Sequence, residues 1–206
     1  MADTGTPAPE VTAIAPAPEV IAIVPARFAA SRFPGKLLAT LHGRTILSHV
    51  ISRARLIRGC HRLVVATDDD RILEEARRCG AECVMTASHH RSGSDRMGEA
   101  LDLLGAEPDF VLNIQGDEPL LDPPAIEGLI ADLRTAPDAI WTLAVPIESP
   151  AERDRASVVK VARARDGRAL YFSRAPVPFV RDESPAGAPY GLRHIGVYGY
   201  PLALLR

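Results

Sequence analysis

Cysteine, aromatic residues and net charge are all in short supply in this sequence, and each shortage removes a class of function. The three cysteines, Cys60, Cys79 and Cys83, are an odd number without a CxxC pair. Cys79 and Cys83 straddle Gly80 at a predicted helix end, so neither a zinc site nor a disulfide framework is expected. The 24 basic and 26 acidic side chains leave a net charge of -2, which gives no footprint for a nucleic-acid partner. Aromatic residues, at 5%, are too few for a base-stacking platform along a strand of nucleic acid. No apolar run approaches the ~20 residues of a membrane span, and the longest, at 20–25 and 110–114, are strand-sized. The N-terminus lacks the basic and apolar regions of a secretory signal. These absences together predict a cytoplasmic protein bound to neither membrane nor nucleic acid.

Proline, by contrast, is plentiful at the start. PAPEVTAI at 7–14 is nearly repeated as PAPEVIAI at 16–23. Prolines at this density favour extended, solvated chain, so 1–18 is expected to be a disordered tail and 19–206 a single domain. Beyond the tail the pattern alternates. The run at 20–24 predicts a buried strand, the short stretches 63–66, 82–85 and 110–114 predict three more strands, and amphipathic stretches at 45–58, 71–78, 95–104 and 123–134 predict helices. Such alternation implies an α/β fold with a mostly parallel sheet covered by helices on both faces. After Pro146 the pattern changes. Runs at 158–164, 169–172 and 193–198 read as strands with no long helix between them, and Asp166-Gly167 reads as a hairpin turn. This part is expected to extend the sheet antiparallel and to form a lid or dimer surface.

In parallel sheets ligands bind beyond the C-terminal strand ends, which directs attention to four loops. The first, 25–36, carries Arg27, Arg32 and Lys36 among small residues, a composition suited to cradling polyphosphate although no Walker pattern is present. The second, Thr67-Asp68-Asp69-Asp70, reads mainly as a helix cap with some backbone contact to a nucleotide. The third, 89–96, holds His89 and His90, expected to point to different sides. It also holds Arg91 and Arg96, which suit an anion or a base edge at a helix start near Ser94 or Asp95. The fourth, Gln115-Gly116-Asp117-Glu118-Pro119, offers Asp117 as a ligand for Mg2+ completed by phosphate oxygens. Glu118 is expected to assist or to cap the following helix. Arg174 and His194, on the later strands, suit a sugar carboxylate or hydroxyl.

The collinear segments VPARFAASRFPGK (24–36), VVATDDDRI (64–72), RSGSDR (91–96), NIQGDEP (113–119), TLAVPI (142–147), ALYFSRAPVP (169–178) and RHIGVYGY (193–200) resemble the 3-deoxy-D-manno-octulosonate (Kdo) cytidylyltransferases. The resemblance covers nearly all of the chain from about residue 20 and implies a Rossmann-like nucleotidyltransferase fold. It implies transfer of CMP from CTP to Kdo for lipopolysaccharide biosynthesis, with Mg2+ as cofactor, in a cytoplasmic homodimer. Residue by residue, it puts Arg27, Arg32 and Lys36 on the triphosphate, with Lys36, Arg27 and Asp117 catalytic. It puts Arg91, Ser92 and Gln115 around the cytidine, Asp117 on the metal, and Arg174 and His194 at the sugar acid. The family extends past the position of Arg206 with a second metal-binding aspartate, so an inactive nucleotide-binding remnant is one alternative. A cytidylyltransferase for another acidic sugar, such as sialic acid or an amino-Kdo, is the other.

Overall fold

The computed structural model describes residues 18–29, 33–179 and 189–206. The expected tail, apart from Pro18, and Arg32 of the first loop lie outside the described residues.

In chain order the elements are β1 (Val20–Ala26), a 3-10 turn (Lys36–Leu38), β2 (Thr40–Leu41), β3 (Arg44–Thr45), α1 (Ile46–Ala54), β4 (Arg62–Thr67), α2 (Asp70–Arg78), β5 (Glu82–Met85), α3 (Gly93–Leu104) and β6 (Phe110–Asn113). There follow α4 (Pro123–Thr135), β7 (Trp141–Pro146), α5 (Pro150–Asp154), β8 (Lys160–Arg163), β9 (Ala169–Ser173), β10 (Leu192–Pro201) and α6 (Leu202–Leu205). Eight strands form one sheet in the order β5-β4-β1-β6-β10-β8-β9, with β7 also paired to β10. The first four are parallel, and every pairing made by β10, like that of β8 with β9, is antiparallel. The expected α/β class and the antiparallel extension are therefore both present.

The central strand β1 is apolar at nearly every position because both of its faces are covered. Val20, Ala22 and Val24 join Leu112 and Val65 beneath α1, α2 and α4. Ile21 and Ile23 join Val64, Ala66 and Val111 beneath Met97, Ala100 and Leu101 of α3, with Leu202 and Leu205 of α6 packed beside them. The period-two alternation of side chains thus divides one apolar run between two cores. The start of α3 meets the C-terminal ends of β1 and β6, and a cleft opens there.

Helix α1 is shorter than its predicted 45–58. The apolar period persists to Ile57, which is buried, but the chain tightens into i→i+3 bonds (Leu56 N to Arg53 O, Ile57 N to Ala54 O) ahead of Gly59. Three elements escaped the sequence reading: β7, the short α5, and the β2–β3 hairpin turned at His42-Gly43. Strand β7 is only half-buried, although most of its residues are apolar.

Lys160 has no exposed surface, yet its ammonium is fully bonded. It donates to the carbonyls of Arg155 (3.0 Å), Val158 (2.8 Å) and Arg174 (2.7 Å), which uses all three of its protons. Replacement by methionine keeps the length but orphans the three carbonyls. We expect Lys160→Met to destabilise the domain by about 2–3 kcal/mol, read as a melting temperature lower by roughly 4–10 °C. An unchanged melting temperature would show that water replaces the ammonium at no cost.

Candidate active site

A cleft of about 690 Å3 lies at the C-terminal ends of β1 and β6, as the strand-end rule requires. Arg27, Lys36, Arg91, Ser92, Gln115 and Asp117 all line it, so the structure gathers six of the residues singled out from sequence into one site.

The first loop folds back on itself. Gly35, at φ 71°, takes the left-handed conformation that lets its N–H reach Phe28 O at 2.9 Å, and the 3-10 turn carrying Lys36 starts there. Arg71 stacks its guanidinium on the Phe28 ring, 3.3 Å from the centroid, and so anchors the loop to α2. The fourth loop approaches from the other side. Arg53 of α1 donates to Leu121 O through Nε (3.0 Å) and Nη2 (2.6 Å), fixing the chain after Asp117. The two loops meet in an ion pair, Lys36 Nζ to Asp117 Oδ2 at 2.7 Å, with both side chains partly exposed at the cleft mouth. Glu118 does not cap the next helix. The residue at the head of α4 is Asp122, and Glu118 turns toward a second cavity.

The third loop corrects several expectations. Helix α3 begins two residues before Asp95, and its cap is Ser92. The Ser92 hydroxyl accepts from Asp95 N (3.1 Å) while the Asp95 carboxylate accepts from Ser92 N (3.1 Å), a complete capping box. These bonds from Ser92 hold the Asp95 carboxyl below its ordinary range. Ser92 also lines the cleft. Ser92→Ala is expected to cost about 1 kcal/mol of stability, a fall of roughly 2–4 °C in melting temperature, and to weaken nucleotide binding as well. Loss of stability alone would confine Ser92 to capping.

Arg96 is not available to an anion. It is fully buried and donates to Thr86 Oγ1 (2.5 Å) and Asp68 Oδ2 (2.7 Å). Asp68 is thereby committed to an ion pair inside the fold, and Asp69 caps α2 by accepting from Arg71 N at 3.0 Å. The cap reading of this acidic run holds for Asp69, and its neighbour serves a different purpose. His89 and His90 do not point apart either. Their ring centroids lie 4.8 Å from one another, and His90 Nε2 is bonded to Glu99.

The two sugar candidates sit apart from this group. The His194 ring lies 5.2 Å from that of Tyr198, a cleft residue, and 4.8 Å from that of Phe172. His194 itself borders the second cavity, of about 490 Å3, between the start of α4 and β10. Burial pushes its pKa below the ordinary value, so near neutral pH it is an uncharged ring. Its Nε2 is 2.9 Å from Thr142 Oγ1, which also donates to Val197 O at 2.7 Å. The hydroxyl has one proton, which places a proton on Nε2 and leaves Nδ1 bare as an acceptor. Such a ring suits a sugar hydroxyl better than a carboxylate. Arg174 lines neither cavity, and its guanidinium donates to Ala156 O at 3.0 Å.

Sequence reasoning missed Asn113, Tyr198 and Tyr200, which also line the cleft. The two tyrosines, alternating in β10, point to one face of the sheet and were legible as a period-two pair.

A family profile described as "Cytidylyltransferase" matches residues 21–201 of this chain. The 3-deoxy-manno-octulosonate cytidylyltransferase of Nitratidesulfovibrio vulgaris (strain DP4) is 48% identical over 180 residues, covering 86% of this chain and 71% of that protein. The protein of that name from Halorhodospira halophila is 47% identical over 186 residues, covering 86% and 72%. Among solved structures, CMP:2-keto-3-deoxy-manno-octonic acid synthetase complexed with CTP matches with a TM-score of 0.81 and 37% identity, over 91% of this chain and 76% of that one. A cytidylyltransferase from Leptospira borgpetersenii, at 18% identity and a TM-score of 0.57, shares the fold. On these matches and on this cleft, the chain belongs to the cytidylyltransferase family, among the 3-deoxy-manno-octulosonate cytidylyltransferases.

Proposed function

We propose that this enzyme transfers the cytidylyl group of CTP to Kdo, giving CMP-Kdo and pyrophosphate. The observation that carries the reading is that Arg27, Lys36 and Asp117, with Lys36 paired to Asp117, line one cleft together with Arg91, Ser92 and Gln115. The first group fits a triphosphate and the second a nucleoside. The anomeric 2-hydroxyl of the sugar gives up its proton to water as its oxygen attacks the α-phosphorus in line, a new P–O bond forms, and the bond to the bridging oxygen breaks to release pyrophosphate. No covalent nucleophile is required. Arg27 and Lys36 neutralise charge that builds on the leaving pyrophosphate. For Lys36 to reach the phosphates its bond to Asp117 must open, which frees the carboxylate as the lysine moves.

The described residues contain no cluster of three or more metal-ligating side chains. They fit the usual mode of Mg2+, which is held by one or two carboxylates together with substrate phosphates. Asp117 would hold the ion, whose chemistry is to draw charge from the phosphate oxygens. His194, beside Tyr198, is placed to meet a sugar hydroxyl. Arg174 reaches the sugar acid only after leaving Ala156 O.

Strand β9 ends the sheet with its outer edge unpaired among the described residues, and Leu170, Tyr171 and Phe172 on it are exposed by 64%, 53% and 44%. An apolar edge of this kind needs cover, and a second copy of the chain supplies it in a homodimer. Leu170→Glu is expected to shift the sedimentation of the protein toward monomer, and an unchanged dimer would place the interface elsewhere. No helix among the described residues is long and apolar enough to cross a membrane, in keeping with a cytoplasmic role supplying lipopolysaccharide assembly.

The test of the reaction is pyrophosphate release by this chain with CTP, Mg2+ and Kdo beside a control without sugar. Release that depends on Kdo supports the assignment. CTP-dependent thermal stabilisation without release would reject turnover by this chain.

A further inference from the structure

One residue of the cleft lacks the bonds its chemistry demands. Asn113 closes β6 and is 95% buried, by its 5% exposure, yet its Oδ1 has no hydrogen-bond partner among the described residues. Buried amides are almost always bonded, and one left open in the wall of a cleft points to a partner that arrives with the ligand. The neighbours say which part of the ligand that is. Asn113 pairs in register with Tyr198 of β10 on one side and with Ile23 of β1 on the other. The Tyr198 ring, with Tyr200 centred 6.0 Å from it, gives a flat apolar surface beside the amide. Above stands the start of α3, so close that a Cβ on Gly93 would come within 3.2 Å of Pro25 and 3.8 Å of Asn113 Nδ2. Asn113 shares the lining of the cleft with Gln115 and Ser92, the two polar side chains assigned with Arg91 to the cytidine.

Resting on the reading that this cleft binds CTP, we propose that Asn113 reads the nucleobase, its Oδ1 accepting a hydrogen bond from the 4-amino group of cytosine while the ring lies against Tyr198. The Cβ–Cγ torsion of asparagine is soft, so a modest turn of the amide presents Oδ1 to the cleft. Cytosine brings the missing donor. Uracil brings a carbonyl to the same place and sets two acceptors against each other. A site built around a substrate N–H rejects the analogue that lacks it more strongly than apolar contact alone can manage.

The test is a cycle between protein and ligand, read by calorimetric titration of the full chain without sugar. The ligands are CTP, UTP, the pyrimidin-2-one riboside triphosphate that lacks the 4-amino group, and pyrophosphate. Wild-type protein is expected to bind CTP at least tenfold more tightly than the pyrimidinone analogue. In Asn113→Leu that advantage disappears: CTP binding falls at least tenfold, while the analogue, UTP and pyrophosphate change by less than threefold. The ligand-free melting temperature of the variant stays level or rises, because an unbonded buried polar group is exchanged for an apolar one of similar shape. Asn113→Ser, which is smaller, repeats the measurement if the leucine is not accommodated. The proposal is overturned if CTP and the analogue lose affinity equally, which would put the amide on a part of the nucleotide they share. It is also overturned if the variant melts several degrees lower while keeping its preference for CTP, which would make the amide a prop of the fold. Wild-type protein that binds pyrophosphate but no CTP would reject the reading underneath, a result distinct from either.

Discussion

Asp117→Asn should lower turnover by at least 100-fold while leaving CTP affinity within a few-fold of the wild type. The substitution preserves shape and removes one negative charge, so the loss measures what the charge does in the reaction. A hundredfold corresponds to about 2.7 kcal/mol of transition-state stabilisation, a reasonable size for a group that helps to balance developing phosphate charge. The direction of the affinity change follows from the ion pair at the cleft mouth. In the ligand-free protein Asp117 holds Lys36 at 2.7 Å, and the lysine must leave it to meet a phosphate. That bond is partly exposed on both sides, and pairs of this kind contribute about 0–1 kcal/mol. With asparagine the lysine is released in advance, so CTP measured in a chelator should bind equally well or up to about fivefold more tightly. Turnover and affinity falling together would place Asp117 in ground-state binding, and unchanged turnover would remove it from the chemistry altogether.

What the sequence disclosed and what it concealed divide along a physical line. Strands buried on both faces must be apolar, and helices between strands must alternate with period 3.6, so β1, β4, β6 and the helices were visible as patterns, while β5, at the sheet edge with Glu82 and Met85 exposed, was visible only as a short stretch beyond Gly80. Loops at strand ends carry charge in a sequence where charge is otherwise spread, so Arg27, Lys36, Arg91 and Asp117 were visible as candidates. Strand β7 was not, because it packs on β10 while remaining only half-buried, and its cover comes from residues some fifty positions away. The partition of Asp68 from Asp69 was equally hidden. Both stand in one acidic run, and only the third dimension shows that Asp69 turns to the head of its own helix while Asp68 reaches a residue 28 positions on. Arg96 looked like a companion of Arg91 because composition registers charge without burial. His194 and Arg174 belonged together on paper through their strands, yet one sits beside the cleft tyrosines and the other on the loop at Ala156.

That hidden pair carries the second large effect. Arg96→Met should destabilise the protein by about 3 kcal/mol, a fall of roughly 6–12 °C in melting temperature. Arg96 is wholly inside the fold, and its Nε already lacks a partner, so the fold bears a strained arrangement for the sake of the two bonds at Nη1 and Nη2. Those bonds tie two strand-end segments, Asp68 after β4 and Thr86 after β5, to the start of α3. Thr86 is tied in turn to Thr67 O through its N–H (2.7 Å) and its hydroxyl (3.0 Å). Removing the guanidinium leaves the Asp68 carboxylate, only 15% exposed, without a counter-charge, and most of the loss comes from that stranded anion. Two companion variants separate charge from shape. Arg96→Lys, with one compact donor group, should satisfy Asp68 or Thr86 but not both and recover about half of the loss. The double replacement Arg96→Met with Asp68→Leu removes both charges together and should recover most of it, since a buried pair exchanged for apolar groups is often neutral. The nucleotide loop begins five residues before Arg96, so the single variant should also raise the CTP concentration needed for half-maximal rate, and the double variant should restore it as α3 settles. A melting temperature within 1 °C of wild type for Arg96→Met would mean that Asp68 finds water at once and that α3 is held by its apolar face alone.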